Sequence, residues 1–208
     1  MRAPRPTITR LMVEFLTAAA IAFAVVFVAE FGDKSQLLVL GFATRYPWRP
    51  VVAGVVMAAA LIQGVSVVVG AAVGAILPET LVGVVAGLSF LAVAAWTLLG
   101  DDEDASVDEG RPRVAPLAGT ALVLTVAGTF IVGELGDKTM LATFALAASQ
   151  GPIPTWIGST MGEVAANLIA VAVGHQVGTR LSPRVVRIGS AALFAVAGAV
   201  VLTGALLG

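Results

Sequence analysis

The chain has no cysteine, which excludes a disulfide framework and a thiolate metal site. With one histidine besides, it lacks the ligand types of sites designed for zinc or copper. Charge is scarce as well: 12% of residues are Asp, Glu, Lys or Arg, against roughly 25% in soluble domains. The formal net charge of -1 leaves no electrostatic footprint for a nucleic-acid partner. What remains is apolar. With 58% hydrophobic residues and a mean hydropathy of +0.98, the 208-residue chain carries more apolar surface than a soluble domain of that size can hide. The ten-residue alternation of a membrane β-barrel is absent, and Gly, Ala, Val and Leu dominate. The class expected is an all-α polytopic membrane protein.

Six apolar stretches meet the need for ~20 residues across a ~30 Å hydrocarbon core. They run from Leu11 to Thr44, Val51 to Leu77, Leu81 to Leu99, Leu117 to Ser149, Thr155 to Val177 and Val185 to Leu207. The first and fourth, at 34 and 33 residues, are too long for straight spans. Each is expected to be bent or broken at Gly32 or Gly136. Residues 100–116 are the one clearly aqueous stretch, with Asp101, Asp102, Glu103, Asp104, Asp108 and Glu109 followed by Arg111 and Arg113. Such a run reads as a solvated linker. It divides the chain into a first three-helix repeat, 1–99, and a second, 117–208.

Both long stretches carry the same polar insert. Glu30-Phe31-Gly32-Asp33-Lys34-Ser35 recurs as Glu134-Leu135-Gly136-Asp137-Lys138-Thr139. Ionisable groups at membrane depth cost at least ~2.5–3.5 kcal/mol each on insertion scales, so they mark function by default. Shifting the chain by 104 residues aligns more than the insert: from Glu30 to Gly74, 14 of 45 positions are identical. Pro50 meets Pro154, Gly54 meets Gly158 and Met57 meets Met161. Three spans per half is an odd number, so the two copies would cross the membrane in opposite directions. That is inverted-repeat topology, which brings equivalent mid-helix motifs together near the bilayer centre.

On a continuous helix Glu30, Asp33 and Lys34 would share a face, as would Glu134, Asp137 and Lys138. Four carboxylates and two ammonium groups sum to -2 when ionised, and one divalent cation would neutralise them. Carboxylate oxygens, with Ser35, Thr139 and freed backbone carbonyls, suit hard ions such as Ca²⁺ and Mn²⁺. The plainer reading, Asp–Lys pairs that only hold helices together, makes poor use of duplicated charge after the desolvation cost. In a mixed version Lys34 and Lys138 pair with carboxylates in the empty site and yield to metal or protons.

Gln63 and Asn167 are counterparts in the repeat and would either line the cation path or bond between helices. Glu163, opposite Ala59, breaks the symmetry and reads as an extra ligand or proton carrier. Glu14 and His175 read as boundary residues, and Trp48, Trp96 and Trp156 as interface anchors. Loop arginines (Arg45, Arg49, Arg111, Arg113, Arg180, Arg184 and Arg187) fall on one side of a six-span layout, against Arg2, Arg5 and Arg10 on the other. The positive-inside rule then puts both termini outside and the acidic loop in the cytosol. The apolar run after those first arginines continues through the motif without a convincing small-residue cleavage site and is expected to be retained.

The doubled Glu-x-Gly-Asp-Lys-Ser/Thr at Glu30–Ser35 and Glu134–Thr139 resembles the signature of the Gdt1 family, once called uncharacterised protein family 0016. The likeness extends over the six-helix, two-repeat layout with its acidic central loop. It implies a Ca²⁺/H⁺ or Mn²⁺/H⁺ antiporter, not an enzyme, with the motif acids as the ion site and no cofactor beyond the transported ion. Family members in bacteria are linked mainly to Mn²⁺ export, so a bacterial plasma membrane is the expected location. Two rivals stay open: a divalent cation channel, and an exporter of small organic cations or amino acids on an inverted-repeat scaffold. An intramembrane enzyme has the least support, because the near-symmetric site offers no distinct nucleophile.

Overall fold

The computed structural model describes residues 7–31, 33–43, 46–99, 119–177 and 183–207. Among them every regular element is α-helical, as a lipid-embedded backbone with no water to bond requires. The helices are α1 (Ile8–Glu30), α2 (Lys34–Ala43), α3 (Trp48–Ile76), α4 (Glu79–Leu99), α5 (Gly119–Glu134), α6 (Lys138–Gln150), α7 (Pro152–Val177) and α8 (Pro183–Leu207). Proline opens α7 and α8 at the first helical position, where its missing N–H costs nothing. The acidic stretch 100–116 and Gly32 lie outside the described residues, as does the side chain of Lys34.

Three helices are long and apolar enough to cross a membrane by themselves: α1, α3 and, within α4, Thr80–Leu99. The α5–α6 pair makes a fourth if taken as one span, bent by 79°. The expected interruption of the two long segments is present, but its effect on the motif differs from the continuous-helix expectation. Glu30 is the last residue of α1 and Lys34 the first of α2, so Glu30, Asp33 and Lys34 share no helix face. The same holds for Glu134, Asp137 and Lys138, because two carboxylates and an ammonium a turn apart fall across a break in the chain.

The 104-residue offset reaches further than the identities. α2 and α6, α3 and α7, and α4 and α8 each begin 104 residues apart, and α1 and α5 end 104 residues apart. Packing follows the same offset with the halves exchanged: α1 lies along α7 as α5 lies along α3, α2 meets α7 as α6 meets α3, and α4 pairs with α8. Phe90 of α4 stacks on Phe194 of α8, its own counterpart, with ring centroids 6.1 Å apart.

Two glycines show why the sequence repeats where it does. A Cβ on Gly54 would come within 2.8 Å of the Val123 carbonyl oxygen and 2.7 Å of Val126 Cβ on α5. A Cβ on Gly158 would meet the Ala19 carbonyl and lie 2.9 Å from Ala22 Cβ on α1, the residues 104 positions earlier. Small residues here let helix backbones approach closely, the main source of packing energy where lipid is as apolar as leucine.

Gly158→Leu is therefore expected to destabilise the bundle by about 1–3 kcal/mol through overpacking. Gly128→Leu, where nothing lies within 4 Å of the added carbon, should change stability by less than about 0.5 kcal/mol. Thermal unfolding of the two variants in one detergent checks the contrast.

Candidate metal centre

The two breaks place the motif acids. Across each, the same backbone tie recurs: Asp33 N–H donates to the Glu30 carbonyl at 3.2 Å, and Asp137 N–H to the Glu134 carbonyl at 3.1 Å. Gly136 turns the chain with φ +82°, a conformation that suits glycine, and no neighbour crowds the position, so the need is conformational. Each Glu thus sits at a helix C-terminus, whose partial negative charge favours a cation. Each Asp sits just before a helix. Aspartate there usually turns its carboxylate back on the first turn, but Asp137 Oδ2 is buried without a hydrogen-bond partner among the described residues, which leaves that oxygen for a ligand.

The four acids converge. One carboxylate oxygen from each of Glu30, Asp33, Glu134 and Asp137 lies within 4.8 Å of all the others. Glu30 and Glu134 are buried, Asp33 and Asp137 half-buried. Two unit charges at 4.8 Å repel by roughly 3.5 kcal/mol at an effective dielectric of 20, so four such groups demand compensation. Lys138 supplies part of it: its Nζ donates to Asp33 Oδ1 at 2.8 Å, reaching the acid of the other half. Ser35 Oγ donates to Glu30 Oε2 at 2.8 Å. Glu30 Oε1, Glu134 Oε2 and Asp137 Oδ2 are buried without a hydrogen-bond partner among the described residues. Calcium takes oxygen ligands at ~2.3–2.6 Å, so opposite ligands stand ~4.6–5.2 Å apart. The four oxygens already lie inside that diameter.

The remaining candidates divide. Thr139, the counterpart of Ser35, is equally buried at the start of α6. Gln63 on α3 and Glu163 and Asn167 on α7 are fully buried together. Gln63 Nε2 donates to Glu163 Oε2, and Asn167 Nδ2 to the Glu163 carbonyl at 3.0 Å. Gln63 therefore does bond between helices. Glu163 stands outside the four-oxygen cluster, although its charge acts on Glu30 and Glu134 and that of Asp137 acts on it. Glu14 pairs with Arg10 in the open at 2.8 Å. Trp156 Nε1 donates to the Ala60 carbonyl on α3 at 3.0 Å. The side chain of His175 lies outside the described residues.

Sequence reasoning passes over Gln36, which ties α2 to α7 through the Ala166 carbonyl at 3.2 Å. It also passes over buried Thr143, Thr155 and Ser159. The available signal was the repeat itself, because their counterparts Val39, Val51 and Val55 are apolar.

Apolar membrane-length helices around a buried acidic cluster at two helix breaks define an integral membrane protein built to handle a cation. The chain belongs to the GDT1 family: the family model described as divalent cation/proton antiporter GDT1 matches residues 18–105 and 122–207. A Vibrio cholerae protein named "Putative manganese exporter" is 30% identical over 184 residues, covering 86% of this chain and 87% of that one. A GDT1-like protein of Synechocystis is 31% identical over 194 residues, covering 86% and 93%. A chloroplastic GDT1-like protein of rice is 31% identical over 210 residues, covering 89% of this chain but 62% of its own length. No solved structure matches the chain.

A cation held by these acids should stabilise the fold. Mn²⁺ or Ca²⁺ at about 100 times its dissociation constant is expected to add about 2.7 kcal/mol in detergent. Asp137→Asn should need at least ~10-fold more ion for the same thermal shift, since even outer-shell partners of metal ligands are worth 10–100-fold in affinity.

Proposed function

We propose that the chain is a secondary active exporter of a divalent cation, Mn²⁺ in the first place and Ca²⁺ as the alternative, in exchange for protons. The observation that carries this reading is the convergence of four carboxylates, two from each motif copy, within 4.8 Å of one another at paired helix breaks. In this reading each acid gives the cation one oxygen. The -2 sum of four carboxylates with Lys34 and Lys138 becomes neutral when one divalent ion binds. Lys138 holds Asp33 in the unloaded site and yields to the ion, and Lys34 acts likewise. Protons that neutralise the carboxylates release the ion, which couples the two fluxes.

The proposed topology has six spans, α1 with α2, α3, α4, α5 with α6, α7 and α8, forming inverted repeats 1–99 and 117–208. The exchange of halves in the helix packing supports it. The acidic linker 100–116 would lie in the cytosol, the termini outside, and the site between two halves that rock about it. Ser35, Thr139, Gln63, Asn167 and Glu163 would flank the ion path. The name of the Vibrio relative favours manganese, and a bacterial plasma membrane is the proposed location. An ammonium bound among the carboxylates supports exchange over free conduction, because an open pore gains nothing from a charge that must be displaced.

Purified protein in liposomes with an imposed pH gradient tests the reading. Gradient-driven Mn²⁺ or Ca²⁺ flux is expected, and Asp33→Asn should reduce it at least ~100-fold while the protein still inserts. Divalent flux that persists without proton movement would support a channel, and competition by amino acids would support the organic-cation rival.

A further inference from the structure

The two halves differ in what they bury where their helices pack together. On the side built by α2, α3 and α5 the packing is apolar: Val39, Val51, Val55, Leu122 and Val126 belong to one buried cluster. Their counterparts 104 residues away in the other half are Thr143, Thr155, Ser159, Ala18 and Ala22. Three bulky apolar side chains have become hydroxyls, and two have become alanine. Thr155, Ser159 and Glu163 stand one helical turn apart on α7, each 0% exposed, and Thr143 is 0% exposed on α6, which packs against it. Thr143 Oγ1, Thr155 Oγ1 and Glu163 Oε1 have no hydrogen-bond partner among the described residues. Buried polar atoms are satisfied in more than about nine cases in ten, so two on one face of α7 and a third on the neighbouring α6 call for a partner beyond the described residues.

Water fits the strip by length. Residues four apart on a helix are separated by ~6 Å along the axis, and one water bridging two hydroxyls spans two bonds of ~2.8 Å. We propose that Thr143, Thr155 and Ser159 line a one-sided hydrated lane that ends on Glu163 and delivers protons to the carboxylate cluster. The lane rests on the exporter reading and adds the proton's route, which the near-symmetric ion site leaves open. Under the proposed topology the N-terminal end of α7 faces outward, so protons enter from the side to which the cation leaves.

Each delivery balances simply. A lane water takes up a proton from the outer aqueous phase and gives one to Glu163 Oε1, so the water is regenerated as the carboxyl O–H forms. That proton passes to a cluster carboxylate, whose bond to the cation breaks. Two deliveries replace the charge of one divalent ion. Glu163 exchanges protons in the company of Asp137 from α6, whose charge acts on it, and of Glu30 from α1 and Glu134 from α5, on which its own charge acts. Asp33 and Lys138 lie beyond them as an ion pair, and α3 contributes the neutral Gln63.

Proteoliposomes carrying wild type, Glu163→Gln or Thr155→Val test the lane with Mn²⁺ as the probe. Both variants are nearly isosteric. Each is expected to slow pH-driven Mn²⁺ flux at least ~10-fold. In Thr155→Val, Mn²⁺/Mn²⁺ exchange without a gradient and the thermal shift by Mn²⁺ stay at wild-type values. Unchanged pH-driven flux in both variants would overturn the lane. So would loss of Mn²⁺/Mn²⁺ exchange in Thr155→Val, which would make Thr155 part of the ion path instead. Absence of any Mn²⁺ exchange by wild type would overturn the exporter reading and the lane with it.

Discussion

Mutual repulsion among four carboxylates held away from water is the constraint on which the other features depend. Glu30, Asp33, Glu134 and Asp137 place oxygens within 4.8 Å of one another inside a bundle of otherwise apolar helices. A continuous helix could not assemble them, because Glu and Asp of one copy would line up along one axis. Breaking each long segment after the Glu turns Asp33 and Asp137 inward and sets helix ends against the site. The packing then has to bring two breaks together, and the glycines at 54 and 158 allow the close helix approach that does so. Lys138 relieves one acid of the opposite half and leaves three buried carboxylate oxygens without a partner among the described residues. The chain belongs to a family of divalent cation/proton antiporters, and the proposed function assigns both the cation and the protons to this cluster.

Duplication explains the geometry of the site, and departure from duplication makes its two sides unlike. Two equal halves would give a site that meets both sides of the membrane alike. Here the first half buries Val39, Val51 and Val55 where the second buries Thr143, Thr155 and Ser159. Glu163, opposite Ala59, is the strongest break in the symmetry, and it bonds to Gln63 across α3 and α7. In the proposed mechanism that asymmetry separates the route of the proton from the site of the ion.

Much of this was legible in the sequence because its signals are local. Charges inside apolar runs marked the four acids, run length marked the interrupted segments, and the 104-residue offset marked the paired halves. Other features were illegible for physical reasons. The shared helix face failed because residue spacing assumes a continuous helix, and Gly136 at φ +82° ends that assumption. The bond from Lys138 to Asp33 was hidden because each lysine has an aspartate beside it in sequence and the true partner lies 105 residues away. Gln63 fits two roles in the sequence, and only the fold brings Glu163, 100 residues on, to face it. Thr143, Thr155 and Ser159 are ordinary in the sequence, since hydroxyl residues often bond to their own helix, as Ser159 does to the Trp156 carbonyl at 3.3 Å; Thr143 and Thr155 stand out by being buried without such a bond.

The central claim is one ion shared by both halves of the chain. Counting bound Mn²⁺ per chain by equilibrium dialysis with electron paramagnetic resonance detection, in wild type, Asp33→Asn and Asp137→Asn, tests it most directly. The account predicts one tightly bound ion in wild type, lost to a similar degree in either variant. Two ions per chain, each lost separately in one variant, would contradict it.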